Sequence, residues 1–139
     1  MQQLKPNTTH HLEQSGLRST KARIGILSIL GEEQKPIDVM SLRKKLKAKK
    51  IDADEATVYR ILDMFTKKRI VHRIELGEGK FRYELPREHH HHLICEHCGR
   101  IEDIEECKLT SIEKKIAKDK KFTIHHHALE FFGLCAKCH

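Results

Sequence analysis

The chain has 139 residues, 38% of them hydrophobic and none of them tryptophan, enough for one domain or two small ones but not for a single large core. No stretch approaches the roughly 20 apolar residues of a membrane span, and the opening Met1-Gln2-Gln3-Leu4-Lys5-Pro6 lacks the apolar centre of a signal peptide, so a cytoplasmic protein without a membrane partner is expected. The net charge of +7 is unevenly carried: 18 Lys/Arg stand against 11 Asp/Glu up to Leu85, and 9 against 9 from Pro86 onward.

All five cysteines and nine of the twelve histidines fall in the second, neutral part. A basic stretch of this kind suits a polyanion such as DNA; ordinary solubilising charge is the competing explanation. The composition thus predicts a division into residues 1–85 and 86–139.

Residues 1–16 are polar, with a short leading helix expected around Thr9–Gln14. Thr20 is an N-cap candidate for a helix through Lys21–Leu30, with Ile26, Ile29 and Leu30 on one face and Gly31 as its stop. Pro36 is expected to open a second helix, with Val39, Leu42 and Leu46 inward and a lysine-rich outer face. Asp52 or Asp54 can cap a third, in which Val58, Ile61, Leu62 and Phe65 form the buried stripe. Thr57, Tyr59 and Arg60 then sit at its exposed N-terminal part, where the second helix of a helix-turn-helix reaches base edges.

Two strands follow, Ile70–Leu76 and Lys80–Leu85, joined through Gly77-Glu78-Gly79. Three helices and a hairpin make a winged helix. After Pro86-Arg87-Glu88, a strand at Leu93–Cys95, a strand at Arg100–Ile104, a helix over Leu109–Ala117 with Ile112 and Ile116 inward, and a long strand over Phe122–Phe132 describe a small α/β unit. The predicted fold class is α+β: an N-terminal winged helix-turn-helix domain and a small C-terminal α/β domain.

The strongest chemical signal is a pair of Cys-x-x-Cys motifs, Cys95/Cys98 and Cys135/Cys138. Two such knuckles fit a closed tetrahedral zinc site of structural type; a redox dithiol or four unrelated thiols are the alternatives. Cys107 is expected to be a small hydrophobe rather than a ligand. Before the first knuckle runs His89-His90-His91-His92. On a strand, alternate residues face opposite ways, so His90 and His92 take one side and His89 and His91 the other. Glu84 and Asp103 can complete a site with His90 and His92; imidazole donors suit zinc, iron(II), nickel or copper and do not choose among them.

The chain resembles the ferric uptake regulator family of metal-dependent transcription factors. The resemblance lies in Gly16-Leu17-Arg18-Ser19-Thr20-Lys21-Ala22-Arg23, Ala56-Thr57-Val58-Tyr59-Arg60-Ile61-Leu62, His89 to Gly99, and Gly133-x-Cys135-x-x-Cys138. It implies a winged-helix domain, a hinge and a C-terminal dimerisation domain. It also implies structural Zn2+ on the four cysteines and a regulatory Zn2+ or Fe2+ on Glu84, His90 and His92, with Asp103 as a further donor. His72 stands where zinc-sensing members place a ligand, and the segment Lys35-Pro36-Ile37-Asp38 lacks the histidine of iron-type members. Zinc is therefore slightly favoured, in the manner of the family's zinc uptake regulators. His89, His91 and His127 resemble a second regulatory site, whose glutamate position is Thr110 here with Glu106 and Glu113 nearby.

The expected function is a homodimeric, metal-loaded repressor of metal-uptake genes on double-stranded operator DNA. Lys21 and Arg23 would touch phosphates, and Arg18 with Lys21 a flanking minor groove. An iron or peroxide sensor of the same family is the alternative. A histidine-rich metalloenzyme or storage protein is disfavoured, because the sequence has no HExxH, nucleophile elbow or paired catalytic carboxylates.

Overall fold

A computed structural model describes residues 12–77, 79–87 and 89–139. The signal-peptide reading of the first residues, the start of the leading helix, Glu78 in the predicted turn and Glu88 in the predicted linker lie outside them. Residues 12–14 are helical, and Leu12 is fully buried. The chain forms two compact units, Met1–Pro86 and Arg87–His139. Among the described residues no helix is long and apolar enough to cross a membrane.

In the first unit α1 spans Lys21–Glu32, and the Thr20 hydroxyl accepts the Arg23 N–H at its N-terminus. Gly31 does not stop it: the helix reaches Glu32, and the Glu33 N–H closes it on the Ile29 carbonyl. Gly25 lies where a Cβ would come within 2.5 Å of Ile51 Cδ1, so its missing side chain permits the close approach. α2 spans Val39–Ala48 and starts later than Pro36 suggested. Asp38 is the cap, accepting the Ser41 N–H at 2.7 Å, while both backbone groups of Ile37 bond to Tyr83 at 2.9 Å. α3 spans Glu55–Lys67, and Asp54 rather than Asp52 caps it through the Thr57 N–H. Its buried residues are Val58, Ile61, Leu62 and Phe65, as the periodicity predicted.

β1 (His72–Gly77) and β2 (Lys80–Glu84) form the antiparallel wing. Ile70 and Val71 are not part of it: their N–H groups bond the Phe65 carbonyl, and their side chains join the helical core. That core runs from Leu12 to Tyr83 and lies wholly in the first unit.

The second unit carries β3 (His91–Cys95), β4 (Ile101–Ile104), α4 (Thr110–Lys120) and β5 (Glu130–Gly133). The sheet order is β4-β3-β5, with β3 antiparallel to β4 and parallel to β5. Two expectations fail here. The last strand is Glu130–Gly133 only, because His127 is turned to a side-chain cluster on Glu113 rather than held in a ladder. Ile112 and Ile116 are exposed, at 52% and 47%, because α4 buries no residue against this small sheet. The buried residues of this unit, among those described, are His91, His92, Ile94, Cys95 and Ile101.

Replacing fully buried Leu62 by Ala is expected to destabilise the first unit by about 2–5 kcal/mol. The check is the urea midpoint of the helical circular dichroism; an unchanged midpoint would place Leu62 outside the core.

Candidate metal centres

The second unit brings the four knuckle cysteines together. β3 and β5 are parallel neighbours, and Cys95 pairs with Gly133, so both motifs leave the sheet at the same end. Parallel pairing does the positioning, since an antiparallel β5 would send its motif to the opposite edge. The first knuckle closes with the Gly99 N–H on the Cys95 carbonyl at 2.9 Å, Gly99 having φ 76, and the second with the Cys138 N–H on the Cys135 carbonyl at 2.9 Å.

The four Sγ atoms lie within 4.8 Å of one another. Cys98 Sγ and Cys135 Sγ are 3.8 Å apart. A tetrahedron with Zn–S of about 2.3 Å has edges of about 3.8 Å, so the residues fit the ion. The electrostatics agree. Backbone N–H groups of Cys98 and Cys135 draw the Cys95 thiol down to about 6. Its bond to the Cys135 side chain, together with burial, pushes Cys138 up to about 12. Sulfurs packed this closely cannot all ionise without a cation among them.

The histidine run divides as a strand must. On one side His90 Nε2 faces His92 Nε2 at 3.1 Å. His92 is fully buried, pairs with Asp103 across β3–β4, and its Nε2 lies 3.9 Å from Asp103 Oδ1. Arg87 binds Asp103 Oδ2 at 2.8 Å and holds that carboxylate in place. The first unit supplies a similar pair: His72 sits opposite Glu84 in the wing register, with Nδ1 3.3 Å from Oε1. The imidazole is half exposed and the carboxylate buried.

On the other side of β3 the rings of His89 and His91 meet edge to face at 4.7 Å, and His127 reaches both. His127 Nε2 lies 3.3 Å from His91 Nε2, and its Nδ1 meets the Glu113 carboxylate. Burial, then the neighbouring His89 and His127, hold the His91 imidazole below its usual pKa and favour the neutral form that binds metal. Cys107 joins this group with its Sγ 3.5 Å from His127 Nε2. Cys107, expected as a small hydrophobe, is half-buried beside an imidazole. Glu113, not Thr110, supplies the carboxylate; Thr110 opens α4 and is exposed. His125 and His126 are exposed.

The nucleic-acid candidates lie in the first unit. Tyr59 and Arg60 are exposed on α3, opposite its buried stripe, and Arg60 touches the Thr57 hydroxyl at 3.4 Å. Arg18 and Lys21 are exposed at the start of α1. Arg23 is partly spent on the fold, since its guanidinium bonds the Arg18 carbonyl at 2.9 Å and meets Met64 Sδ at 3.8 Å. Sequence periodicity finds exposed arginines but not this internal bond.

The family model described as "Ferric uptake regulator family" matches residues 14–132. The ferric uptake regulation protein of Bacillus subtilis (strain 168) is 36% identical over 132 residues, covering 91% of this chain and 89% of its own. The solved Vibrio cholerae ferric uptake regulator is 31% identical, with a TM-score of 0.78 over 93% of this chain and 100% of that one. The Helicobacter pylori ferric uptake regulator, described with three functional metal binding sites, is 25% identical, with a TM-score of 0.76 over 93% and 87%.

Cys135→Ser is expected to release the tetrad ion and unfold the second unit while the first keeps its helices. Apparent binding energies for structural zinc, roughly 10–16 kcal/mol, match or exceed the whole stability of a small domain. Metal analysis with amide NMR checks this; a native pattern for residues 89–139 without bound metal would refute it.

Proposed function

Because the chain belongs to the ferric uptake regulator family of metal-responsive transcriptional regulators, we propose that it is a cytoplasmic, homodimeric repressor of metal-uptake genes. On this reading it grips double-stranded operator DNA when a regulatory ion is bound. Cys95, Cys98, Cys135 and Cys138 hold structural zinc. His72, Glu84, His90, His92 and Asp103 are the regulatory donors, with zinc as their ion. His89, His91 and His127 hold a second regulatory ion, in keeping with the three sites named for the Helicobacter pylori protein.

The observation that carries this reading is that each unit has its own ready donor pair: His72 with Glu84 in the wing, and His90, just before β3, with His92 on it. An ion that takes donors from both units stabilises one arrangement of them by differential binding. If that arrangement spaces two copies of α3 to match operator half-sites, metal becomes the switch for DNA. The exposed Ile112, Ile116, Phe131 and Phe132 of the second unit support dimerisation through that unit, since its own sheet leaves them uncovered. Thr57, Tyr59 and Arg60 read bases; Lys21 and Arg23 contact phosphates, and Arg18 with Lys21 reaches a flanking minor groove.

A second reading keeps the same machinery with iron(II) in the regulatory site, in the manner of the ferric uptake protein it resembles. Its carboxylates and imidazoles suit that ion too, and a peroxide sensor is the variant in which peroxide, reduced at the bound iron(II), oxidises a histidine.

Titration with zinc, iron(II) and manganese(II) separately tests both. The cognate ion is expected to bring operator affinity to about 10⁻⁸ M. Removing it should return binding to the nonspecific range of about 10⁻⁴–10⁻⁶ M. Affinity that ignores chelation of the labile ion sinks the sensor reading; a response to iron(II) alone selects the second. Arg60→Ala is expected to cost about 1–3 kcal/mol on operator DNA and little on random DNA. Equal losses on both would make Arg60 a phosphate contact.

A further inference from the structure

We propose that Cys107 is a metal ligand, and that with His89, His91 and His127 it forms a closed, four-coordinate site of three imidazole nitrogens and one thiolate sulfur, selective for zinc-like, thiophilic divalent ions. This rests on the reading that the three histidines hold an ion, and adds the fourth donor and the resulting selectivity.

The geometry is that of a coordination shell. The ligand atoms of the four residues lie within 4.8 Å of one another. A tetrahedron with Zn–N of about 2.0–2.1 Å and Zn–S of about 2.3 Å has N–N edges of about 3.3–3.4 Å and N–S edges of about 3.5–3.6 Å. His127 Nε2 stands 3.3 Å from His91 Nε2 and 3.5 Å from Cys107 Sγ.

The orientation of the rings points the same way. His127 turns Nδ1 to the Glu113 carboxylate and Nε2 to His91 and Cys107. The backbone of Leu129 hydrogen-bonds His91, whose Nε2 is also turned inward. These are the outer partners that orient metal-bound imidazoles. Glu113 is thus a positioning residue rather than a ligand.

The donor set decides the ion. A thiolate beside three imidazoles favours zinc or cobalt(II) over manganese(II), which prefers oxygen. With four protein donors no position stays open for substrate or peroxide. The site also has a mechanical role. Its donors come from the start of β3, the β4–α4 loop and the α4–β5 segment, and Glu113 lies on α4. Since α4 buries no side chain, the ion would be its principal attachment to the sheet.

The test uses full-length protein with zinc in the cysteine tetrad and the labile ions removed. Cobalt(II) is added alone, and the near-ultraviolet thiolate-to-cobalt charge-transfer band is followed. Wild type is expected to develop this band and Cys107→Ser to lose it, with zinc affinity at this site falling at least about 10-fold. His127→Ala should lose it as well. Manganese(II) should not compete, and amide exchange in residues 110–120 should accelerate in Cys107→Ser. A band that persists in Cys107→Ser comes from the tetrad and overturns the proposal. Cobalt bound without a thiolate band, yet released by His127→Ala, removes Cys107 and leaves the histidine site standing. If His127→Ala changes neither binding nor band, both readings fall.

Discussion

The parallel pairing of β3 with β5 is the constraint on which the second unit depends. Those two short strands place Cys95 beside Gly133, and so bring two knuckles from opposite ends of a 53-residue unit to one point. Little else holds the unit together. Its apolar interior is essentially Ile94 and Ile101, and its helix contributes nothing to it. A domain this size normally falls short of stability on hydrophobic burial alone. The first unit has the opposite character: a continuous core of helix and wing side chains, with Asp38 and Asp54 capping two of its helices. One half of the molecule is organised by apolar packing and the other by donor atoms.

Cross-strand register arranges those donors. His92 opposes Asp103 on β3–β4, and His72 opposes Glu84 in the wing. Each is a directly facing pair, set by the register alone. The period of two along β3 does the rest, sending His91 to one face and His92 to the other while both remain buried. Four identical residues thus acquire different chemistry from position alone: His92 near an acidic side chain, His91 among imidazoles and a thiol.

Local signals were legible in the sequence. Thr20 and the α3 stripe follow from capping and helical period, and the division of the histidine run follows from strand geometry. What depends on a distant partner was not. Pro36 marks a helix start by rule, but Ile37 is claimed by Tyr83, 46 positions later, and Asp38 takes the cap. Ile70 and Val71 have strand propensity, yet the Phe65 carbonyl and the helical core capture them first. Ile112 and Ile116 have helical spacing, which identifies an apolar face without saying what covers it. Cys107 flanks no motif, and only the loop before α4 carries it to His127, while Glu113 was legible just as a neighbour of position 110.

The two hydrogen bonds between Ile37 and Tyr83 bear on how a wing can act. They stitch β2 to the residue that precedes the Asp38 cap of α2, and Tyr83 is sealed in the core beside them. β2 is therefore no flexible flap. Its last residue, Glu84, is thereby tied through Tyr83 and Ile37 to the start of α2, so its carboxylate is fixed to the helical core and not only to the hairpin.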